Sequence, residues 1–124
     1  MAKILIVDDD PDCVELLSIH LLRRGHTVVG AKDGPAALEA ASWERPALVV
    51  LDLRMPAVDG IRVIEILRAN ELTASVPIIL MSAADKEWAT RRMPADADAR
   101  FLEKPIDFDR LDGMLGELLP AAAN

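Results

Sequence analysis

The sequence contains no tyrosine, and its only aromatic residues are two tryptophans and two phenylalanines. So small an aromatic complement leaves no visible base-stacking platform for nucleic acid. There is one cysteine, Cys13, so no internal disulfide can form, which is compatible with a reducing compartment. No apolar stretch approaches the roughly 20 residues needed to span a bilayer. Met1-Ala2-Lys3 runs straight into a short apolar run, which is not the shape of a signal peptide. A cytoplasmic location with no membrane partner is the resulting expectation. Basic residues are the minority, 14 against 21 acidic, and the net charge of −7 argues against direct nucleic-acid binding. Arg23-Arg24 and Arg91-Arg92 are isolated pairs near expected helix C-termini, where the macrodipole favours cations. Neither Gly-x-x-x-x-Gly-Lys nor Gly-x-Gly-x-x-Gly occurs, so nucleotide binding is unsupported.

What the sequence does have is alternation. Its 124 residues, 52% of them apolar, suit one folded domain, expected over 1–119 with a tail at 120–124. Lys3–Val7, Thr27–Ala31, Ala47–Leu51, Val76–Met81 and Arg100–Glu103 read as strands. The third and fourth are continuous apolar runs, as in strands buried on both faces of a parallel sheet. Helices fill the gaps. Asp10-Pro11 reads as an N-cap with proline at the first helical position, and Val14, Leu17 and Leu21 share a face. Asp33-Gly34-Pro35 opens a second helix through Trp43, and Asp59-Gly60 opens a third with Val63, Ile64 and Leu67 inward. A fourth is expected from about Asp85 to about Arg92, cut short or kinked by Pro94, with Trp88 as its anchor. Asp107 caps a fifth, with Leu111, Leu115 and Leu118 on one side. Five β-α units imply a doubly wound parallel sheet with helices on both faces, order 2-1-3-4-5. That order makes strands 1 and 3 neighbours at the switch point, where ligands bind beyond the carboxyl ends.

Strand 1 ends in Asp8-Asp9-Asp10 and strand 3 leads to Asp52. Two like charges about 4 Å apart near a surface repel by roughly 4 kcal/mol, so converging carboxylates raise a pKa or recruit a cation. Oxygen ligands without Cys or His suit Mg²⁺. A capping role explains Asp10 but not Asp8 and Asp9. Ser82 follows strand 4, and Lys104-Pro105 follows strand 5. A metal seat, a carboxylate nucleophile, a hydroxyl and an ammonium are the parts that phosphoryl transfer requires.

These motifs resemble the response-regulator receiver domain of two-component phosphorelay signalling, a flavodoxin-like fold. The resemblance rests on Ile4-Leu5-Ile6-Val7-Asp8-Asp9, Asp52-Leu53-Arg54-Met55-Pro56 with Asp59-Gly60, Met81-Ser82-Ala83 and Phe101-Leu102-Glu103-Lys104-Pro105. It covers nearly the whole chain. It implies that Asp52 accepts phosphate from a histidine kinase or histidine phosphotransfer protein. It implies that Asp8, Asp9, Asp52 and the Arg54 carbonyl hold Mg²⁺, and that Ser82 and Lys104 bind phosphate oxygens. Phe101 would be the rotamer switch, with Ser82 and Pro105 beside it, and the Lys104-Pro105 bond would be cis. The downstream protein target would meet the helix 4-strand 5-helix 5 face. The role implied is regulatory rather than enzymatic. Two departures from the family pattern are Ala97-Asp98 in place of Gly-Ala before strand 5, and Pro94 within the helix 4 region.

Three rival classes are weighed against this. A haloacid-dehalogenase-type phosphatase would use an Asp-x-Asp pair such as Asp8 and Asp10, but Pro11 follows where small flexible residues are usual. A flavodoxin-like cofactor binder would want a Ser/Thr-rich loop after strand 1, and this one is acidic. A receiver fold serving only as a binding module would not need the full acidic and lysine set. His20 and His26 read as surface or edge residues, Trp43 and Trp88 as packing residues, and a redox role for Cys13 is disfavoured without a second thiol. Nothing after helix 5 reads as an output domain, so a stand-alone regulator or a piece of a longer protein is expected.

Overall fold

The computed structural model describes residues 2–55, 58–83, 86–93 and 98–120. Its elements alternate throughout: β1 (Lys3–Val7), α1 (Pro11–Arg23), β2 (Thr27–Ala31), α2 (Gly34–Glu44), β3 (Leu48–Asp52), α3 (Gly60–Ala69), β4 (Ile78–Ser82), α4 (Lys86–Arg92), β5 (Ala99–Glu103) and α5 (Phe108–Leu118). All neighbouring strands pair in parallel, in the order β2-β1-β3-β4-β5.

The period-two alternation of each strand divides the core. Ile4, Ile6, Leu48, Val50, Ile79, Met81 and Leu102 pack against Leu17 and Leu21 of α1 and Leu111 and Leu115 of α5. Leu5, Val7, Val49, Leu51, Ile78, Leu80 and Phe101 face Ala37 and Ala41 of α2, Val63, Ile64 and Leu67 of α3, and Ala89 of α4. Every residue of β3 and β4 is buried, which explains their uninterrupted apolar sequence.

Part of the acidic surplus is spent on helix starts. The side chains of Asp10, Asp33, Asp59 and Asp107 accept first-turn N–H groups of α1, α2, α3 and α5. Each such cap contributes about 0.5–2 kcal/mol relative to alanine. Gly25, at φ +88°, ends the turn after α1 in a conformation that favours glycine.

The strand limits differ from the sequence reading by a residue or two, in an informative direction. Pro77 has no N–H to give, so β4 begins at Ile78, while the Pro77 carbonyl accepts from the Val49 N–H at 2.9 Å. At their other ends β3 and β4 extend to Asp52 and Ser82, which the ladder holds by pairing with Met81 and Glu103. α4 ends at Arg92 as expected, although Asp85 and Pro94, and with them the kink, lie outside the described residues, as does the tail beyond Pro120. Trp88 is not the anchor of α4. It is 41% exposed under the Arg92 guanidinium, 4.2 Å from the ring centre, and fully buried Ala89 makes the core contact. Trp43 does not pack either, being 81% exposed. On helices this narrow in apolar width, a small residue meets the sheet more closely than an indole can.

Candidate functional site

At the carboxyl edge of the sheet, four strand ends deliver polar groups to one cleft. Asp8, just past β1, anchors its backbone N–H on the Ala31 carbonyl at 3.1 Å. Its Oδ1 accepts from the Asp10 N–H at 3.0 Å and its Oδ2 from Lys104 Nζ at 2.8 Å. Asp52 Oδ1 lies 3.2 Å from the same ammonium. Carboxylate oxygens of Asp8, Asp9 and Asp52 all fall within 4.8 Å of one another, and among the described residues this is the one acidic group with metal-holding spacing. Asp8 and Asp52 are buried while Asp9 is exposed, so the cluster opens to solvent on one side.

The neighbouring cleft, about 340 Å³, is lined by Asp52, Arg54, Ser82, Ala83 and Lys104. Ser82 is buried at the end of β4 and pairs in register with Glu103. Its carbonyl accepts the Lys104 N–H at 3.0 Å, which ties the lysine backbone to the serine. The Lys104-Pro105 bond is cis, as the resemblance implied. Arg54 is exposed at the cleft mouth. Phe101 is turned inward, 9% exposed, one strand away from the site.

Packing beneath Asp52 depends on one glycine. The Gly60 N–H donates to the Leu53 carbonyl at 2.8 Å, at the start of α3. A Cβ there would meet the Asp52 carbonyl oxygen at 2.7 Å and Leu53 Cα at 2.9 Å. A bare Cα therefore lets α3 close against the exit of β3.

Charge in the cluster is unevenly shared. Burial, then the Asp8 charge, pushes the Asp52 carboxyl above its ordinary value, with Lys104 opposing and Asp9 adding. Burial also pushes Asp8 up, but donation from Lys104, the Asp10 N–H and the Cys13 thiol outweighs it, and the net direction is down. Burial works against the Lys104 ammonium, yet its two carboxylates hold it above its usual range. The Cys13 thiol is pushed up to about 12 by burial and by Asp8. A lowered thiol at a helix start, an option raised by position alone, is thus reversed by burial and by the acid it faces.

Two arrangements escaped the sequence reading. His20 Nε2 and Arg24 Nη2 both contact the Asp112 carboxylate at 2.8 Å, joining α1 to α5. The His20 ring also lies 4.6 Å from the Phe108 ring. The signal was the i,i+4 spacing of His20, in the last turn of α1, and Arg24, its C-cap. The Cys13 contact with Asp8 had no sequence signal beyond its place in the first turn of α1.

The family model of the response regulator receiver domain matches residues 4–115. The chain belongs to this family. The receiver domain is a signalling module of two-component systems, whose response regulators are phosphorylated by kinases and partner with histidine kinases or phosphotransfer proteins. The chain is 33% identical over 115 residues to protein PilH of Pseudomonas aeruginosa, covering 90% of this chain and 92% of PilH. It is 44% identical over 86 residues to the alkaline phosphatase synthesis transcriptional regulatory protein PhoP of Bacillus subtilis, covering 69% of this chain and 35% of PhoP. This receiver domain thus spans about a third of PhoP and most of PilH. Among solved structures it is similar to the receiver domain of sensor histidine kinase PA1611 from Pseudomonas aeruginosa PAO1. The TM-score is 0.82 at 26% identity, covering 94% of this chain and 96% of that one. That structure has a magnesium ion coordinated in its active site cleft. No helix among the described residues is long and apolar enough to cross a membrane.

Proposed function

We propose that this receiver domain takes a phosphoryl group on Asp52 from a histidine kinase or histidine phosphotransfer protein, in the presence of Mg²⁺. The observation that carries the reading is Lys104 Nζ bridging Asp8 and Asp52 at 2.8 and 3.2 Å inside a cluster of three carboxylates. The donor set fits a hard cation, because its three side chains offer only oxygen and the nearby Cys13 thiol stays protonated. Asp8, Asp9, Asp52 and the Arg54 carbonyl would hold Mg²⁺, which when bound neutralises charge on the phosphoryl oxygens.

The chain's own residues do the rest. An Asp52 carboxylate oxygen attacks phosphorus, the P–N bond of the donor phosphohistidine breaks, and the leaving imidazole nitrogen keeps the electron pair and is protonated by water. Lys104 opposes the upward push that burial and Asp8 exert on the Asp52 carboxyl, and would then answer the charge on the phosphoryl oxygens. The Ser82 hydroxyl donates to another of those oxygens. Drawing Ser82 toward Asp52 shifts the end of β4 beside β5, where Phe101 packs inward and Pro105 closes the strand exit. The α4-β5-α5 face then changes as a two-state element.

Asp8 is a poor rival nucleophile. It already accepts from Lys104 and from the Asp10 N–H, and Asp10 caps α1 instead of completing an Asp-x-Asp pair. The test is incubation with acetyl phosphate and Mg²⁺, followed by mass spectrometric mapping. A chelator-sensitive adduct on Asp52, absent from Asp52→Asn, is expected. An adduct on Asp8 with turnover of phosphate esters would establish the phosphatase instead.

A further inference from the structure

The outer face of α2 carries a shallow hollow of about 470 Å³, lined by Ala36, Glu39, Ala40, Trp43 and Glu44. With about 3.6 residues per turn, Ala36, Ala40 and Trp43 fall within the arc bounded by Glu39 and Glu44. Ala37 and Ala41 make the core contacts of this helix, so the hollow is turned to solvent. Its floor is alanine, its one large group is an indole 81% exposed, and both of its charges are negative. A single exposed apolar side chain needs no explanation. This one is an electron-rich ring flanked by carboxylates, and that combination attracts a cation. The chain fills comparable seats where it has a cation to hand. Arg92 stands over the Trp88 ring, 4.2 Å from its centre. Lys3 Nζ reaches the Glu44 carboxylate at 3.1 Å and the Glu44 carbonyl at 3.2 Å. Among the described residues, no cation pairs with Glu39 and none stands over the Trp43 ring.

We propose that this face of α2 binds a basic, partly apolar segment of a partner protein, with one arginine lying flat on the Trp43 indole and Glu39 as its counter-ion. Arginine suits the seat better than lysine, because a planar guanidinium stacks on the ring while its edge donates to the carboxylate. Small apolar side chains of the segment lie on Ala36 and Ala40. Glu44, held by Lys3, bounds the seat on the other side. Charge selects this occupant. A nucleic acid backbone or an acidic segment is repelled by the two carboxylates and by the net charge of −7. A second copy in a two-fold contact would set Glu39 and Glu44 against their own counterparts. No residue of α2 lines the cleft beside Asp52, so binding here does not depend on the phosphoacceptor reading.

The probe is a fluorescein-labelled peptide of arginine and alanine, with a glutamate-alanine analogue as control. Excess Mg²⁺ is present throughout, to compete for the Asp8, Asp9 and Asp52 carboxylates. Binding to the whole chain is followed by anisotropy. The basic peptide is expected to bind and the acidic one not. Trp43→Ala is expected to weaken binding about tenfold, and Glu39→Gln about threefold, the worth of one exposed ion pair. Both positions are exposed, so the fold is kept, and far-UV circular dichroism of each variant verifies it. Glu71→Gln removes the same charge from an exposed position outside the hollow and is expected to leave binding unchanged. Trp88→Phe leaves Trp43 as the only tryptophan, and its emission is expected to move to shorter wavelength as unlabelled peptide covers the ring. Undiminished binding by Trp43→Ala, equal losses from Glu39→Gln and Glu71→Gln, an unmoved Trp43 emission, or a peptide-free dimer that Trp43→Ala dissolves would each overturn the proposal.

Discussion

Replacing Asp52 by asparagine should make the fold more stable while abolishing its proposed chemistry. Asp52 Oδ1 is 3.2 Å from Lys104 Nζ, an attraction of about 5 kcal/mol at an effective dielectric near 20. Asp8 and Asp9 place carboxylate oxygens within 4.8 Å of its own, each repelling by about 3.5 kcal/mol or more on the same scale. Asp9 is exposed, so water weakens its share, but burial of Asp52 acts in the same unfavourable direction. The balance favours the neutral asparagine by about 1–2 kcal/mol at pH 7 in chelator, or about 4–8 °C in Tm. The pH dependence follows from the raised Asp52 pKa. The unfolded chain ionises this group from its ordinary value of 3.8, and the folded chain only at higher pH. The cost is therefore absent below the ordinary value, grows as pH rises between the two, and is constant above the folded one. Mg²⁺ is expected to bind only the folded triad and so to stabilise the wild type more than the variant. Urea unfolding followed by circular dichroism reads this directly. An Asp52→Asn chain less stable than wild type at pH 7 in chelator, or a gap indifferent to Mg²⁺ and to pH, would refute the reasoning.

Gly60→Ala should destabilise the domain by about 2–3 kcal/mol, because the new methyl collides with backbone atoms of Asp52 and Leu53 that cannot yield cheaply. Gly113→Ala in α5, with nothing within 4 Å, should instead stabilise by about 0.5–1 kcal/mol. Thermal melts of the pair separate a packing requirement from simple helix propensity, and equal effects would contradict the geometry. Cys13, with its thiol pushed up to about 12, should react with iodoacetamide at pH 8 about a thousandfold more slowly in the folded chain than in urea. Comparable rates in the two states would show that burial and Asp8 do not restrain the thiol.

The readable and unreadable parts of this chain divide along a physical line. The chemistry sits on strand ends, and a buried parallel strand announces itself as an apolar run whose last residue is known within a position or two. Asp8, Asp52, Ser82 and Lys104 could therefore be brought together from order alone, and the strand order delivers them to one cleft. Pro77 explains why β4 starts two residues later than its apolar run, and pairing of Asp52 with Met81 and of Ser82 with Glu103 carries β3 and β4 one residue past theirs. Helix faces are less legible, because apolar content does not say which residue meets the sheet. Trp43 and Trp88 carried the strongest hydrophobic signal on α2 and α4, yet Ala37, Ala41 and Ala89 make the contacts. Long-range polar pairs are less legible still. His20 and Asp112 are 92 residues apart, and nothing local in either segment requires the other. The proposed phosphoryl chemistry thus depends on residue type at or just past the ends of β3, β4 and β5, where one substitution at Asp52, Ser82 or Lys104 would remove a role while the apolar runs that build the sheet beneath are kept.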